Sequence, residues 1–398
     1  MSAGNVILFS DPLFPGYSAS AGRIQEQAQR LGGLQHAAHD AQAVHTADAE
    51  QLAAALDAAG PGACFINLHA PYFPKEAWGS ILAYLQRGGG LLSIGGAPFK
   101  VPVRRDNGVW QAEAEQTAYH RQLPIHEALR VDGGRVQAHA APAAIPLLAG
   151  REELLAPADT WNLVPHVTKS SDLPEQMGAS GPMDTRIYPL LKGISAEGRE
   201  VSAPAVLWEH VGGPFAGARW IFIGQKLTPE HYGDEGLKRL AACAAFAAKG
   251  VTELWLKPNY ASYEQGERPM ISLQSQQLSR TGAGQENWQL QFTLQKDGAA
   301  SPCFEHNCGI MAGTEMNFYR VPIPVELEPG LYDLVCHAEA EDGEQRVLRQ
   351  GFWGYDAALL AQGEPITAGR DYFQKNGRPL PVVGMTCLVY TSPSPRDS

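Results

Sequence analysis

Chemistry at a protein site needs a nucleophile, a metal-ligand cluster or a pair of carboxylates, and the first question is which of these the residue spacing allows. A nucleophile set on a strand-to-helix elbow requires Ser, Cys or Thr at the tip of the turn. After the apolar run Gly90–Gly96 the turn reads Gly95-Gly96-Ala97-Pro98, and Ser93 falls within the strand itself. Among the histidines, His36, His39 and His45 lie close together but no carboxylate cluster completes them, and His120 and His126 lack the H-E-x-x-H spacing of a zinc protease. The stretch Phe304–Cys308 offers Glu305, His306 and Cys308; a strand would send Glu305 and His306 to opposite faces, so a surface loop is expected there and a metal site is not. The six cysteines form no CxxC pair. Cys64 and Cys243 sit in apolar runs and read as small buried hydrophobes, while Cys303, Cys308 and Cys336 leave room for one disulfide. No metal or other cofactor is expected. Glu113, Glu115, Glu152 and Glu153 read as solvated surface charge.

The elements that would position a site alternate between strand and helix over residues 1–255. Asn5–Phe9 is a short apolar run ended by Ser10-Asp11-Pro12. A helix is expected where Ile24, Ala28 and Leu31 share one face, with Gly32-Gly33 as its stop. Another should run from an N-cap at Thr46 or Asp48 to Gly60. Ala63–His69 reads as a strand buried on both faces. The strongest helical pattern follows, with Pro74 in its first turn and Trp78, Ile81, Leu82 and Leu85 on one face. An irregular insertion, about 97–200, interrupts this alternation and suggests a small β excursion around Trp110. The scaffold then resumes with "APAVLWEHV", the strand Gly217–Gly224 and a last helix burying Leu237, Leu240, Ala241, Ala244 and Phe246. This is the pattern of an α/β doubly wound parallel sheet, which binds ligands at the carboxyl ends of its strands. Asp11, His69, Tyr72 and Gln225 belong at that rim and form the candidate pocket, although helix capping and loop shaping would use the same residues.

After a linker at 256–268 the period changes to two. Residues 269–357 carry short alternating strands separated by Gly, Pro and Asp turns, the signature of a β-sandwich. With 398 residues the chain has room for two or three domains. A formal charge of −11, from 31 basic and 42 acidic residues, argues against nucleic acid and anionic membranes as partners. No apolar run is long enough to cross a bilayer. The first residues lack the basic region of a secretory signal, so a cytoplasmic location is expected if the N-terminus is complete.

The block "FINLHAPYFPKEAWGSILAYLQRGGGLLSIGG", the order of elements around it and the closing "GARWIFIGQKL" resemble the class I glutamine-amidotransferase-like superfamily. The likeness is to its sugar-utilisation (ThuA-like) branch and to the middle domain of certain β-galactosidases. It covers most of residues 1–255 and implies a flavodoxin-like sheet. The sequence departs from an active amidotransferase at the elbow, which has no Cys, and after "WIFIG", where Gln225-Lys226 stand without a His. By the same resemblance, the 269–357 module is immunoglobulin-like. The segment 358–386 resembles the entry into the (β/α)8 barrel of glycoside hydrolases of the β-galactosidase and cellulase-like clan, through Tyr372, Phe373, Asn376, Gly377, Pro379, Val382, Val383 and Gly384. Asn376-Gly377 supplies the positive-φ pair of a tight hairpin turn.

Residues 387–398 resemble a translated sequencing-adapter end, from which Val389 departs, and the expectation is a reading frame cut short as the barrel begins. Together these resemblances imply the N-terminal, non-catalytic region of a glycoside hydrolase, whose carbohydrate substrate would be met through the missing barrel. An orphan hairpin could not bury its apolar arms. Homo-oligomer contacts through the α/β domain are implied as well. The alternatives are a stand-alone ThuA-like sugar-utilisation protein and a carbohydrate-binding or oligomerisation module.

Overall fold

A computed structural model describes residues 6–16, 44–165, 184–226, 234–282, 284–370 and 372–380. Several expectations lie outside these residues: the helix with Ile24, Ala28 and Leu31, His36 and His39, Val382, Val383 and Gly384, and the segment 387–398. The side chain of Leu237 is also outside them.

The first layer is an eight-stranded mixed sheet. Its strands are β1 (Val6–Phe9), β2 (Val44–Ala47), β3 (Cys64–Asn67), β4 (Gly90–Ile94), β5 (Ala138–Ala140), β6 (Thr185–Ile194), β7 (Glu200–His210) and β8 (Arg219–Ile223). The spatial order is β2-β1-β3-β4-β8-β7-β6-β5. The first five are parallel and the last three run antiparallel. The parallel strands are apolar on both faces: Ile7, Phe9, Phe65, Leu91, Trp220 and Phe222 fill one core, and Leu8, Ile66, Leu92, Ile221 and Ile223 fill the other. Burial on both faces is what a covered parallel sheet demands.

The expectation of a wholly parallel sheet is corrected by β5–β7. Only residues 211–218 join β7 to β8, too few for the crossover that a parallel pair needs, so the two make an antiparallel hairpin. Strands β5 and β6 come from the stretch read as an irregular insertion, and they extend the main sheet instead of leaving it. The rest of that stretch supplies a hairpin at Val101–Asp106 and Val109–Ala112, turning at Asn107 and Gly108 with φ of 48° and 81°, and a second pair at Ile125–Val131 and Thr160–Pro165.

Helix α1 (Leu52–Ala58) starts behind Asp48, whose Oδ1 accepts from the Glu50 and Gln51 amides at 3.0 and 2.8 Å. Thr46 lies in β2. A turn of 3-10 helix at Lys75–Ala77 leads into α2 (Trp78–Gln86), so Pro74 ends a short strand, Tyr72–Pro74. Trp78, Ile81, Tyr84 and Leu85 are the buried face of α2. Tyr84, not Leu82, takes the inner position because its hydroxyl donates to the carbonyls of Ala63 and Gly90 at 2.7 and 3.0 Å. Helix α3 (Asp234–Lys249) buries Leu240, Cys243, Ala244, Ala247 and Ala248, with Ala241 and Phe246 half-buried.

The second layer is all β. A three-stranded sheet, β9 (Thr252–Pro258), β11 (Met270–Gln277) and β14 (Asn317–Pro322), lies in the order β9-β11-β14. A five-stranded sheet comprises β10 (Ser262–Tyr263), β12 (Glu286–Lys296), β13 (Phe304–Ala312), β15 (Gly330–Ala340) and β16 (Gln345–Gly354), in the order β10-β16-β15-β12-β13. Their inner faces share one core built on Trp288, Phe292, Leu273, Leu334 and Phe352. The residues read as a linker, 256–268, hold the end of β9 and all of β10. Glu305 and His306 lie in strand β13, not in a loop, and both are exposed. Cys64, Cys243, Cys303, Cys308 and Cys336 are free thiols. No helix among the described residues is long and apolar enough to cross a membrane.

Candidate functional site

The carboxyl ends of β1 and β3 bring Asp11, His69 and Tyr72 together. The Asp11 amide donates to Nε2 of His69 at 3.2 Å, which leaves Nδ1 to carry the proton and donate to the Pro15 carbonyl at 3.1 Å. Buried and flanked by the rings of Phe9 and Phe14 at 4.5 and 5.4 Å, His69 is held in this neutral tautomer. Burial lowers its pKa to about 4, against the smaller opposing pull of the Pro15 hydrogen bond and Asp11. The Asp11 carboxylate accepts from the amides of Leu13 at 2.9 Å and Ala49 at 3.2 Å. The Tyr72 amide donates to the His69 carbonyl at 2.9 Å, and Asn67 ties down both neighbours: its Oδ1 accepts from the His69 amide at 2.9 Å and its Nδ2 donates to the Tyr72 carbonyl at 3.3 Å. The Tyr72 ring lies against Gly16, where an added Cβ would come within 2.3 Å of it. These polar groups therefore hold loop backbone, which is the capping use of the candidate residues. Gln225 is anchored differently: its Nε2 donates to the Ala156 carbonyl at 3.0 Å, and its buried Oε1 has no partner among the described residues.

The crevice where β4 and β8 end is filled by protein. Gly95 and Gly96 sit at φ of 124° and 159°. A Cβ on Gly95 would meet the Ala70 carbonyl at 2.6 Å, and one on Gly96 would rest against Pro71 and the Trp161 ring at 3.5 and 3.6 Å. Trp161, carried by the Thr160–Pro165 strand, donates its amide to the Gly224 carbonyl at 2.9 Å. The ammonium of Lys100 stands over its ring at 4.6 Å. The elbow thus presents glycine backbone under an indole, with no nucleophile at its tip. A concavity of about 490 Å³ lies elsewhere, lined by residues 134–137 and by Ser195, Ala196, Glu197, Arg199 and Val201, and none of the four candidate residues reaches it.

A buried ionisable cluster that the sequence reading did not find lies between the two layers. Glu209 on β7 and Arg219 on β8 meet Glu344, in the turn before β16, and Arg346, the second residue of β16. Arg219 Nε donates to Glu209 at 2.9 Å, and its Nη2 and Nη1 donate to the two carboxylate oxygens of Glu344 at 2.7 and 3.1 Å. Arg346 donates to Glu209 at 2.5 and 2.9 Å and to Glu344 at 2.9 and 3.0 Å. All four side chains are at most 5% exposed. Burial by itself would raise the two carboxyl pKa values, but the guanidinium groups outweigh it and hold both below the usual carboxylate range. Next to this quartet, Lys249 at the end of α3 pairs with Glu286, with Asp342 at 2.7 Å and with Glu344 at 2.7 Å. Glu286, Asp342 and Glu344 are close enough together to hold a cation, and the Lys249 ammonium occupies that position.

In sequence, Glu209 and Arg219 are 10 residues apart but their partners lie 125 and 137 residues away. The available signal was a pair of charges inside otherwise apolar strands, "VLWEHV" and "GARWIFIG". Backbone bonds complete the seam: Val251 to Gly217 at 3.0 Å and Val347 to Ala144 at 2.9 Å.

No protein-family profile matches the chain, and no curated protein matches it. Among solved structures it is similar to the CARDB domain of a Pyrococcus furiosus protein, crystallised with di-metal ions, at 10% identity and a TM-score of 0.22 over 26% of this chain and 88% of that one. It is also similar to the Pseudomonas fluorescens alkylpurine DNA glycosylase AlkC, at 13% identity and a TM-score of 0.20 over 31% and 37% of the two chains. A third likeness is to the sporulation control protein Spo0M of Bacillus subtilis, at 11% identity and a TM-score of 0.20 over 30% and 58%.

Proposed function

We propose that the chain is the N-terminal, non-catalytic region of a carbohydrate-active glycoside hydrolase, an amidotransferase-like α/β layer and an immunoglobulin-like sandwich that precede a catalytic barrel. The parallel order β2-β1-β3-β4-β8 supports the flavodoxin-like reading of the first layer. The glycine elbow under Trp161 supports a scaffold role for it.

The observation that carries the reading is the hairpin Phe373–Lys375 and Arg378–Leu380. It turns at Asn376 and Gly377, with φ of 52° and 70°, and pairs with Ile366–Ala368. Ile366, Tyr372 and Phe373 are 58%, 68% and 53% exposed. A three-stranded sheet that leaves its large apolar side chains in water calls for a further packing partner, and the floor of a barrel would supply one. In this reading carbohydrate is met by the barrel, and the two layers hold it in place, as a homo-oligomer if the α/β layer makes the contacts implied by the resemblance.

Sequencing the genomic locus beyond the codon for Thr386 tests this. The expected result is a β/α pattern of barrel length with two strand-end glutamates. A continuation into a Ser/Pro tail and a stop codon would overturn the proposal, as would substantial glycosidase activity of the purified 398-residue chain.

A further inference from the structure

The edge strands of the sandwich are β9 and β14 in one sheet and β10 and β13 in the other. Three of them are blunted. β9 carries Glu253 and Lys257 and ends at Pro258, β14 carries Arg320 and ends at Pro322, and β10 is only Ser262–Tyr263. Strand β13 has no proline, lysine or arginine, holds a single carboxylate at Glu305, and pairs with β12 from Phe304 to Ala312 without a register shift. Antiparallel pairing alternates the direction in which a residue's N–H and C=O point. Asn287 accepts from the Glu341 amide at 3.3 Å and Asp297 donates to the Leu331 carbonyl at 2.8 Å, so the odd positions of β12 bond towards β15 and the even ones towards β13. With Leu290 opposite Cys308 and Phe292 opposite His306, the odd residues of β13 then turn their backbone outwards. At Met311 that backbone is met from the other sheet. Its amide donates to the Tyr319 hydroxyl at 3.0 Å, and its carbonyl accepts from Tyr319 and Ser275 at 2.9 and 2.8 Å. The outward amides and carbonyls of Glu305, Asn307 and Gly309 have no partner among the described residues.

We propose that β13 pairs two copies of this chain, antiparallel and around a two-fold axis through Asn307. The open residues are spaced evenly about Asn307, so one strand supplies both halves of the contact. Asn307 meets Asn307 of the second copy, and Glu305 meets its Gly309. Each of these pairs exchanges two hydrogen bonds, which uses every open group. The charges permit it. Glu305 falls opposite a glycine, the two copies of Glu305 lie ~14 Å apart, beyond the screening length in physiological salt, and the adjoining residues of β12 on that face are Gln289, Gln291 and Thr293. The inward-facing Phe304, His306 and Cys308 are incompletely covered; the pairing sets Phe304 beside Ile310 of the second copy and His306 beside its Cys308. A foreign peptide finds only amide and hydroxyl side chains beside this edge and no pocket to select its own, which favours the second copy as occupant. Contact along one strand buries less than a standard interface, so the dimer is weak and forms with rising concentration. The contact lies in the second layer, apart from the first-layer contacts that the resemblance implies, and it does not need the reading of the chain as an accessory region.

Sedimentation velocity of the full chain from ~5 to ~500 μM tests it, a range that reaches weak pairing. The mass is expected to rise from monomer towards dimer. Asn307→Pro removes an outward N–H that β12 does not use, and should weaken association about tenfold or more. A charge swap at the axis is more specific, because only a residue on the two-fold faces itself. Asn307→Glu and Asn307→Lys should each weaken association about fivefold, and an equimolar mixture of the two should restore it. Trp255→Ala, on the outer face of the three-stranded sheet where Gln274 aligns it with Phe318, should leave it unchanged. Circular dichroism verifies that each variant is folded, and the charge swap decides the matter if Asn307→Pro is not. The proposal is overturned if the chain stays monomeric throughout, if the Asn307 variants associate as strongly as wild type, or if the mixture is no stronger than its components. None of these outcomes bears on the locus sequence, so the two proposals fail independently.

Discussion

Two of the buried polar clusters among the described residues are built on opposite principles. At the strand ends of the first layer, Asp11, Asn67, His69 and Tyr72 are joined mainly through backbone groups, and the imidazole stays neutral. At the seam, Glu209, Arg219, Glu344 and Arg346 are joined side chain to side chain, and all four carry charge. Backbone partners of the first cluster come from neighbouring strand ends of one sheet, so that cluster forms when β1, β2 and β3 pair. Charged side-chain partners come from two layers, so the second exists only when the layers are docked. The first shapes loops, and the second fixes how the sandwich sits on the sheet.

The largest expected effect tests the seam. Arg219→Ala leaves buried Glu209 with Arg346 alone and Glu344 with Arg346 and Lys249, and should destabilise the fold by ~3–5 kcal/mol. Urea unfolding would measure it, and a loss below about 1 kcal/mol would show that the layers do not depend on the quartet. Replacing all four charges together with apolar residues of similar volume should cost far less than the single change, because the uncompensated charge disappears with its partner.

The neutral histidines give the next effect, in the pH dependence. Burial depresses His69 to about 4 and His210 to about 3. The unfolded chain takes up protons near pH 6.5 while the folded one does not, so stability is complete above that value and falls with pH toward the folded pKa. Each histidine should remove about 2 kcal/mol between pH 7 and pH 5. The seam carboxylates add their own loss only below their unfolded pKa, near 4.5. Unfolding curves at pH 7 and pH 5 check this. In His210→Phe, which retains the ring packing against Trp220, the difference between the two curves should shrink.

At the elbow, Gly95→Ala places a Cβ 2.6 Å from the Ala70 carbonyl on a backbone that L side chains avoid, and should cost ~1–3 kcal/mol. A neutral outcome in thermal melting would mean that the crevice is looser than its contacts indicate. The smallest effect belongs to the outer face of the sandwich. Trp255→Ala removes a half-exposed ring and should change stability by under ~1 kcal/mol in urea unfolding, and a larger loss would show that the ring packs against more than its own sheet.

Much of the framework was legible in the sequence. The apolar runs of β1, β3, β4 and β8, the change to period two near residue 269, and Asn376-Gly377 all carry their meaning locally, through pattern or backbone preference. The antiparallel strands β6 and β7 were harder to read, because a strand's neighbour depends on the length and course of the connection and not on its own residues. Asp11, His69 and Tyr72 were found as a group, since strand ends are predictable places, but polar residues there can face a ligand or the chain, and sequence does not distinguish the two.

What the sequence alone determined is the apolar strands β1, β3, β4 and β8, the helices that follow β2 and β8, and the absence of a nucleophile at the elbow, because all depend on residue type at short range. What only tertiary structure decided is the pairing of Glu209 and Arg219 with Glu344 and Arg346, the Lys249 ammonium held among three carboxylates, and the alignment of Trp255 with Phe318 on separate strands. Each depends on residues distant in the chain. Distance along a chain carries almost no information about contact until packing and strand register bring the residues together.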